Sequence, residues 1–176
     1  MGEISFGSFP RSGNHFVRAL ITKTLPDCKY NFLNHISYYL NQNPNTFTTI
    51  RNPLDCVTSW IANSEDTRID RAEKTLEWYI DFYTTVESYK TLVVSFVDLI
   101  NQPLDVINFL CQTFNLEKSV TNKLEFDETD LSVYAKTTDT IKKQFPEIQQ
   151  DVIKASNYMD ALVLFERINK CCITNH

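Results

Sequence analysis

The chain has 176 residues, the length of one ordinary domain, and 43% of them are hydrophobic, enough for a substantial core without disulfide staples. Its formal net charge of −5 argues against non-specific nucleic-acid binding but leaves room for a local basic pocket that holds an anion. Cys28, Cys56, Cys111, Cys171 and Cys172 show no regular metal-ligand spacing and read as reduced thiols, and no apolar run reaches the roughly 20 residues of a membrane span or resembles a signal peptide, so the expectation is a soluble cytoplasmic protein with no membrane partner and no metal.

The first element is an apolar strand candidate, Ile4 to Phe9. It breaks into Pro10-Arg11-Ser12-Gly13-Asn14-His15 and resumes as a helix over 14–24, with Phe16, Val17, Leu20, Ile21 and Thr24 on or near one side. A strand that feeds a tight turn and then a helix N-terminus aims several backbone N–H groups at one point, where the helix dipole also favours negative charge. Arg11 adds a planar cation, Ser12 a hydroxyl, and Gly13 lets the backbone turn or approach without a side-chain clash. The loop therefore points to a phosphorylated ligand.

Pro26 helps to stop this helix. Tyr30 to Asn34 is a short second strand, Asn43-Pro44-Asn45 a turn, and Phe47 to Ile50 a third strand that ends at Arg51. Asn52 suits an N-cap and Pro53 the first position of a helix that carries Asp55, Ser59 and Trp60. Leu76, Tyr79, Tyr83 and Val86 recur at three and four residues, which predicts a long amphipathic helix over about 71–89. Thr91 to Phe96 has the near-continuous apolar character of a buried parallel strand. A helix follows near 103–114, with Leu104, Ile107, Leu110 and Phe114 on one stripe, and the remainder reads as helices with loops, including an apolar series at Tyr158, Leu162 and Phe165. Strand–helix alternation followed by late helices predicts an α/β layered domain over 1–176 with a mainly helical C-terminal region.

Three segments in the right order resemble the sulfotransferase family, whose members take a sulfuryl group from 3′-phosphoadenosine 5′-phosphosulfate (PAPS). Ser8-Phe9-Pro10-Arg11-Ser12-Gly13-Asn14-His15-Phe16 resembles the family's 5′-phosphosulfate loop, and Arg51-Asn52-Pro53-Leu54-Asp55 followed by Ser59 resembles its 3′-phosphate motif. Val93-Val94-Ser95-Phe96-Val97-Asp98-Leu99 is similar to a third element, with Val97 in place of the usual acid. The resemblance implies a three-layer, P-loop nucleotide-kinase-like sandwich with the cofactor across the carboxyl ends of a central parallel sheet. It implies that Pro10, Arg11, Ser12, Gly13, Asn14 and His15 bind the 5′-phosphosulfate and that Arg51 and Ser59 bind the 3′-phosphate. Arg suits such contacts through charge-assisted forked hydrogen bonds, and Ser through a compact donor. Asn14 and His15 stand where the family commonly has hydroxyl residues, and the family's late glycine-rich motif has no counterpart, since the only glycines are Gly2, Gly7 and Gly13.

His35 follows the second strand and precedes Arg51 by 16 residues, a placement that resembles the family's catalytic histidine. In that role it removes a proton from an acceptor hydroxyl or amine while Arg11 offsets charge on phosphate oxygens. The implied reaction is direct in-line transfer that leaves adenosine 3′,5′-bisphosphate, with a small alcohol, phenol, amine or saccharide as acceptor. His15 is the rival base, although a helix N-terminus suits phosphate contact better. Asp55 and Asp98 read as early-helix or capping acids, and Trp60, Trp78, Tyr79 and Tyr83 as core. Two alternatives stand beside this reading: a non-catalytic module that binds 3′-phosphoadenosine nucleotides, and a small-molecule kinase. The kinase is weakened because the loop lacks the Gly-x-x-x-x-Gly-Lys-Ser/Thr arrangement that cradles phosphates and coordinates magnesium.

Overall fold

The computed structural model describes residues 2–64, 68–116 and 142–172. In chain order these form β1 (Glu3–Phe6), α1 (Asn14–Thr24), β2 (Lys29–Phe32), a 3-10 turn (Ser37–Asn41), β3 (Thr46–Ile50), α2 (Pro53–Asn63), α3 (Arg71–Tyr89), β4 (Leu92–Ser95), α4 (Phe96–Asn101), α5 (Pro103–Thr113), α6 (Phe145–Lys154) and α7 (Tyr158–Lys170). The four strands make one parallel sheet in the order β2-β1-β3-β4. Helices pack on both faces, so the fold is α/β with the layering of a three-layer sandwich. The part of the expected C-terminal helical region that falls on 117–141 lies outside the described residues.

Strand alternation divides the core. Ile4, Phe6, Phe47 and Val94 face one side, where Val17, Leu20 and Ile21 of α1, Leu99 of α4 and Ile107 and Leu110 of α5 cover them. Ile50 and Val93 face the other side, under Val57 and Ile61 of α2, Leu76, Tyr79 and Tyr83 of α3, Ile148 and Val152 of α6, and Leu164 and Ile168 of α7. The predicted stripe of α3 is the buried one. On α7 the buried residues are Ala161, Leu164 and Ile168, with Tyr158, Leu162 and Phe165 half-buried beside them, so the helix is rotated relative to the expected stripe.

Strand order explains where a ligand would bind. The chain moves from β1 to β2 on one side, then crosses to β3 on the other, which makes the β1/β3 boundary a topological switch point with a crevice at its carboxyl end. The two strands share only the rungs Ser5↔Thr46 and Phe6↔Phe47, after which β1 leaves the sheet while β3 continues against β4 as far as Ile50↔Ser95. β1 is thus shorter than the predicted Ile4–Phe9, because Gly7, Ser8 and Phe9 belong to the turn that fills the crevice. At the far end, Phe96 opens α4 instead of ending a strand: Ser95 caps that helix by accepting a hydrogen bond from Val97 N–H at 3.2 Å. The predicted cap of α2 is present, with Asn52 Oδ1 accepting from Leu54 N–H at 2.9 Å and Pro53 in the first turn.

Gly13, the N-cap of α1, has φ = 96°, and a Cβ there would lie 2.9 Å from Cδ2 of Phe96 and 3.3 Å from Cδ2 of Leu99. Both the left-handed backbone and the contact with α4 demand glycine. Gly13→Ala is expected to destabilise the fold by about 2–3 kcal/mol, from backbone strain plus overpacking. Chemical denaturation measures it, and a loss under about 0.5 kcal/mol would contradict the tight fit.

Candidate anion-binding site

The loop after β1 begins as a four-residue turn, Phe9-Pro10-Arg11-Ser12, closed by Ser12 N–H donating to Phe9 O at 3.3 Å. Proline at the second position suits such a turn, and the third position needs positive φ, normally a glycine role. Here Arg11 occupies it with φ = 63°. A left-handed non-glycine residue costs of order 1 kcal/mol, a strain that concentrates at functional sites. The loop then enters α1 through Gly13, and no side chain caps that helix.

β3 and the helix after it meet this loop directly. Thr49 Oγ1 donates to Ser12 O at 2.6 Å and Arg51 Nη1 donates to Arg11 O at 3.1 Å. Arg11 Nε donates to Ser59 Oγ at 3.0 Å, across 48 residues of sequence. Arg11, Arg51, Ser12 and Ser59, expected in two separate phosphate motifs, therefore form one cluster. Ser12 and Ser59 are buried and both arginines half-buried.

The cluster is electrostatically unbalanced. Burial, and then the neighbouring Arg51 cation, depress the pKa of Arg11 below its ordinary value. Arg51 lies over the Phe96 ring, 4.7 Å from its centroid, and among the described residues its one close carboxylate, Asp55, is at 4.0 Å. Its Nε–H is buried and makes no hydrogen bond. A guanidinium with an unused donor beside a second guanidinium can take an anion, because a negative group would supply the missing acceptor and relieve the like-charge repulsion.

His35 sits beyond β2, after Asn34 with φ = 54°. Its Nδ1 lies 2.7 Å from Ser8 O, and since a carbonyl only accepts, Nδ1 carries the proton and donates it. In the neutral ring this leaves the lone pair on Nε2. Asn14 Nδ2 lies 3.2 Å from the same Nδ1 and 3.5 Å from Phe9 O, and the Ser8 hydroxyl donates to Asn14 Oδ1. Asn14 is buried at the base of the loop, and His35 is tied to the loop by its bond to Ser8 O. Phe32 and Trp78 flank the imidazole edge-on, with centroids 6.4 Å away in each case. His15, on the exposed side of the first turn, has its pKa lowered by burial and then by Arg11, Arg18 and His35.

Two residues read as core in the sequence also serve the site. Tyr79 OH donates to Arg51 O at 2.9 Å, and Tyr83 OH donates to Thr49 O at 2.7 Å while lying 3.4 Å from Ser12 Oγ. Burial raises both phenol pKa values well above the ordinary one, so the hydroxyls remain donors. The available signal was tyrosine instead of phenylalanine, twice, on a fully apolar stripe: a buried phenol needs a partner. Cys56, beside Arg51, is pushed up to about 12 by burial and is not a nucleophile. Among the described residues no group of three or more His, Cys, Asp and Glu side chains is arranged to hold a metal ion, and no helix is long and apolar enough to cross a membrane.

Comparison with known proteins adds nothing to this geometry: no family model, no curated protein and no solved structure matches the chain.

The shift on His15 fixes a pH dependence. A histidine whose folded pKa is depressed takes up its proton more readily in the unfolded chain, so stability is full above the ordinary value of about 6.5 and falls as pH drops through it toward the lower folded value. The wild-type chain is expected to lose more stability between about pH 7 and 5.5 than His15→Gln, measured by thermal melts. Equal slopes for the two proteins would remove His15 from this field.

Proposed function

We propose that the chain binds a 3′-phosphoadenosine nucleotide at the Arg11–Arg51 cluster and transfers a sulfuryl group from PAPS to a hydroxyl or amine acceptor, as a compact sulfotransferase of P-loop nucleotide-kinase-like architecture. The observation that carries this reading is the pair of guanidiniums from separate loops, held against each other at the carboxyl end of a parallel sheet. Such a pair calls for a polyanion, and the switch point is where open α/β sheets take their ligands.

The residues present fit a ligand with two anionic ends. Pro10, Arg11, Ser12 and Gly13 shape one half, with the first-turn backbone of Asn14 and His15 and the dipole of α1 behind them. Arg51, with its unused Nε–H, and Ser59 on α2 supply the other half. Ser59 Oγ accepts from Arg11 Nε, which links the two halves.

When bound, PAPS supplies an activated sulfuryl group whose leaving group is a phosphate oxygen. The chain's own contribution is to position, to neutralise and to take a proton. Arg11 offsets the charge that collects on phosphate oxygen as the sulfur–oxygen bond breaks. His35 Nε2 receives the acceptor's proton as the new sulfur–oxygen bond forms, its tautomer fixed by the hydrogen bond from Nδ1 to Ser8 O.

Calorimetry with adenosine 3′,5′-bisphosphate, 5′-AMP and ATP, with and without magnesium, tests the donor site. Tight binding that depends on the 3′-phosphate and not on magnesium is expected. Arg51→Ala is expected to weaken adenosine 3′,5′-bisphosphate by about 10- to 100-fold, the loss of charged hydrogen bonds, with a much smaller effect on 5′-AMP. Equal losses for the two nucleotides would overturn the role of Arg51.

His35→Ala is expected to leave nucleotide affinity within about twofold and to lower transfer to a working acceptor by about 100-fold or more. Unchanged turnover would remove His35 as the base. Wild-type nucleotide affinity with no transfer to any alcohol, phenol, amine or saccharide would mark a non-catalytic binding module instead.

A further inference from the structure

A parallel sheet is normally apolar on both faces. On the β3–β4 half of the face beneath α2 and α3, Ile50 and Val93 join the core beside the buried hydroxyl residues Thr46 and Thr48. On the β1–β2 half the same face carries Glu3, Ser5 and Asn31, with Ser5 and Asn31 directly paired across the strands. Among the described residues no α-helix covers them. The connection from β2 to β3 is the short 3-10 turn and the loop over 42–45, and between this connection and the strands lies a cavity of about 600 Å³.

We propose that this cavity is a binding site for a neutral, hydroxyl-rich ligand, a saccharide of about two rings, separate from the Arg11–Arg51 cluster. The volume lies within the range of small-molecule sites. Its polar lining comes from Glu3, Ser5, Asn31, Gln42 and Asn43, with the ring of Tyr39 at one wall. The lining contains no Lys, Arg or His, so an anion finds no counter-charge there. Leu33 and Pro44 add apolar wall, but a wholly apolar ligand would strip water from the amides and replace none of their hydrogen bonds.

A saccharide matches the lining on both counts. Each hydroxyl donates and accepts, as does each amide, and the C–H face of a pyranose packs on an aromatic ring. The lining is also braced: Asn31 donates to Glu3, Asn43 Nδ2 donates to Ser5 Oγ at 3.0 Å, and Asn43 Oδ1 accepts from Asn45 N–H at 2.9 Å. These bonds fix the amides, with the buried Ser5 hydroxyl as a brace behind Asn43, while leaving the second Asn43 N–H and the Asn31 carbonyl for a ligand. Tyr39 is in turn held edge-on by Tyr38, with ring centroids 5.7 Å apart.

Saturation-transfer NMR and calorimetry on the nucleotide-free chain, with lactose, cellobiose and chitobiose as probes, test the site. At least one disaccharide is expected to bind, and inorganic phosphate is expected not to compete. Asn31→Trp, which fills the cavity from an exposed position, is expected to weaken binding at least about tenfold, and the surface double variant Tyr39→Ala/Gln42→Ala by a similar factor. Adenosine 3′,5′-bisphosphate affinity is expected to be unchanged in both. No binding by any of the three disaccharides, binding unaffected in both folded variants, or displacement by phosphate would each overturn the proposal. Because the readout needs neither donor nor turnover, loss of the sulfuryl-transfer reading leaves this outcome intact, and the reverse holds as well.

Discussion

The early parting of β1 from β3 is the constraint on which the site depends. With only two shared rungs, the sheet leaves a crevice that main chain must fill, and every buried carbonyl of that filling loop needs a donor. The donors come from all around it. Ser8 O takes the His35 ring N–H, Phe9 O the Ser12 amide, Arg11 O the Arg51 guanidinium and Ser12 O the Thr49 hydroxyl. The carbonyl side of the loop is thereby turned into the protein. Candidate base, cation and strand end are set by the same hydrogen bonds that let the loop fold, so the site is a consequence of satisfying the backbone. Tyr79 and Tyr83, one turn apart on α3, extend this arrangement by fixing the carbonyls of Arg51 and Thr49 from below.

This scaffold holds an arrangement that is unfavourable by itself. The Arg51 cation disfavours the charged form of Arg11, and partial burial weakens the solvation of Arg11 further. Phe96 answers one through its ring face, while the Asp55 carboxylate, more than half exposed, is too distant for a hydrogen bond. Neither removes the excess positive charge. A chain with net charge −5 that gathers two arginines at one loop, in one of them at a left-handed backbone position, has concentrated cost in one place. Burial first, and neighbouring cations second, lower the pKa of both Arg11 and His15, and a negative group placed there would oppose the second of these causes.

The fold was legible where periodicity and capping chemistry agree. Asn52-Pro53 announced α2, the spacing of Leu76, Tyr79, Tyr83 and Val86 announced α3, and Phe47–Ile50 announced β3, each from local preferences that the tertiary structure reinforces. The ends of elements were less legible, for a physical reason. Gly7-Ser8-Phe9 has strand character, but pairing partners decide strand length, and β3 is no longer alongside. Ser95 likewise ends a strand and caps a helix within one residue, which apolar content alone does not reveal. At the site, the residue types were visible and their grouping was not: that Arg11 would reach Ser59, or that Tyr83 would reach Thr49, depends on which strand β3 lies beside, and that is a property of sheet order.

The crossover from β2 to β3 shows how one local economy shapes two sites. Parallel strands normally require a helical connection that covers the sheet. Here Asn34, in a left-handed conformation, turns the chain sharply after β2, and Gly7 permits the close approach: a Cβ there would lie 3.1 Å from Leu33 Cβ and 3.2 Å from Asn34 O. The tight exit sends the His35 ring toward Ser8 O, at the carboxyl end of β1. The residues that follow form only the 3-10 turn over Ser37–Asn41, and Glu3 and Asn31, both exposed, are residue types that tolerate the resulting hydration. A longer, helical crossover would bury that half-face with apolar contacts and move the histidine away from the loop. The short connection therefore leaves a hollow lined by Glu3 and Asn31 under the loop over 42–45, and it sets the His35 imidazole against the main chain at Ser8.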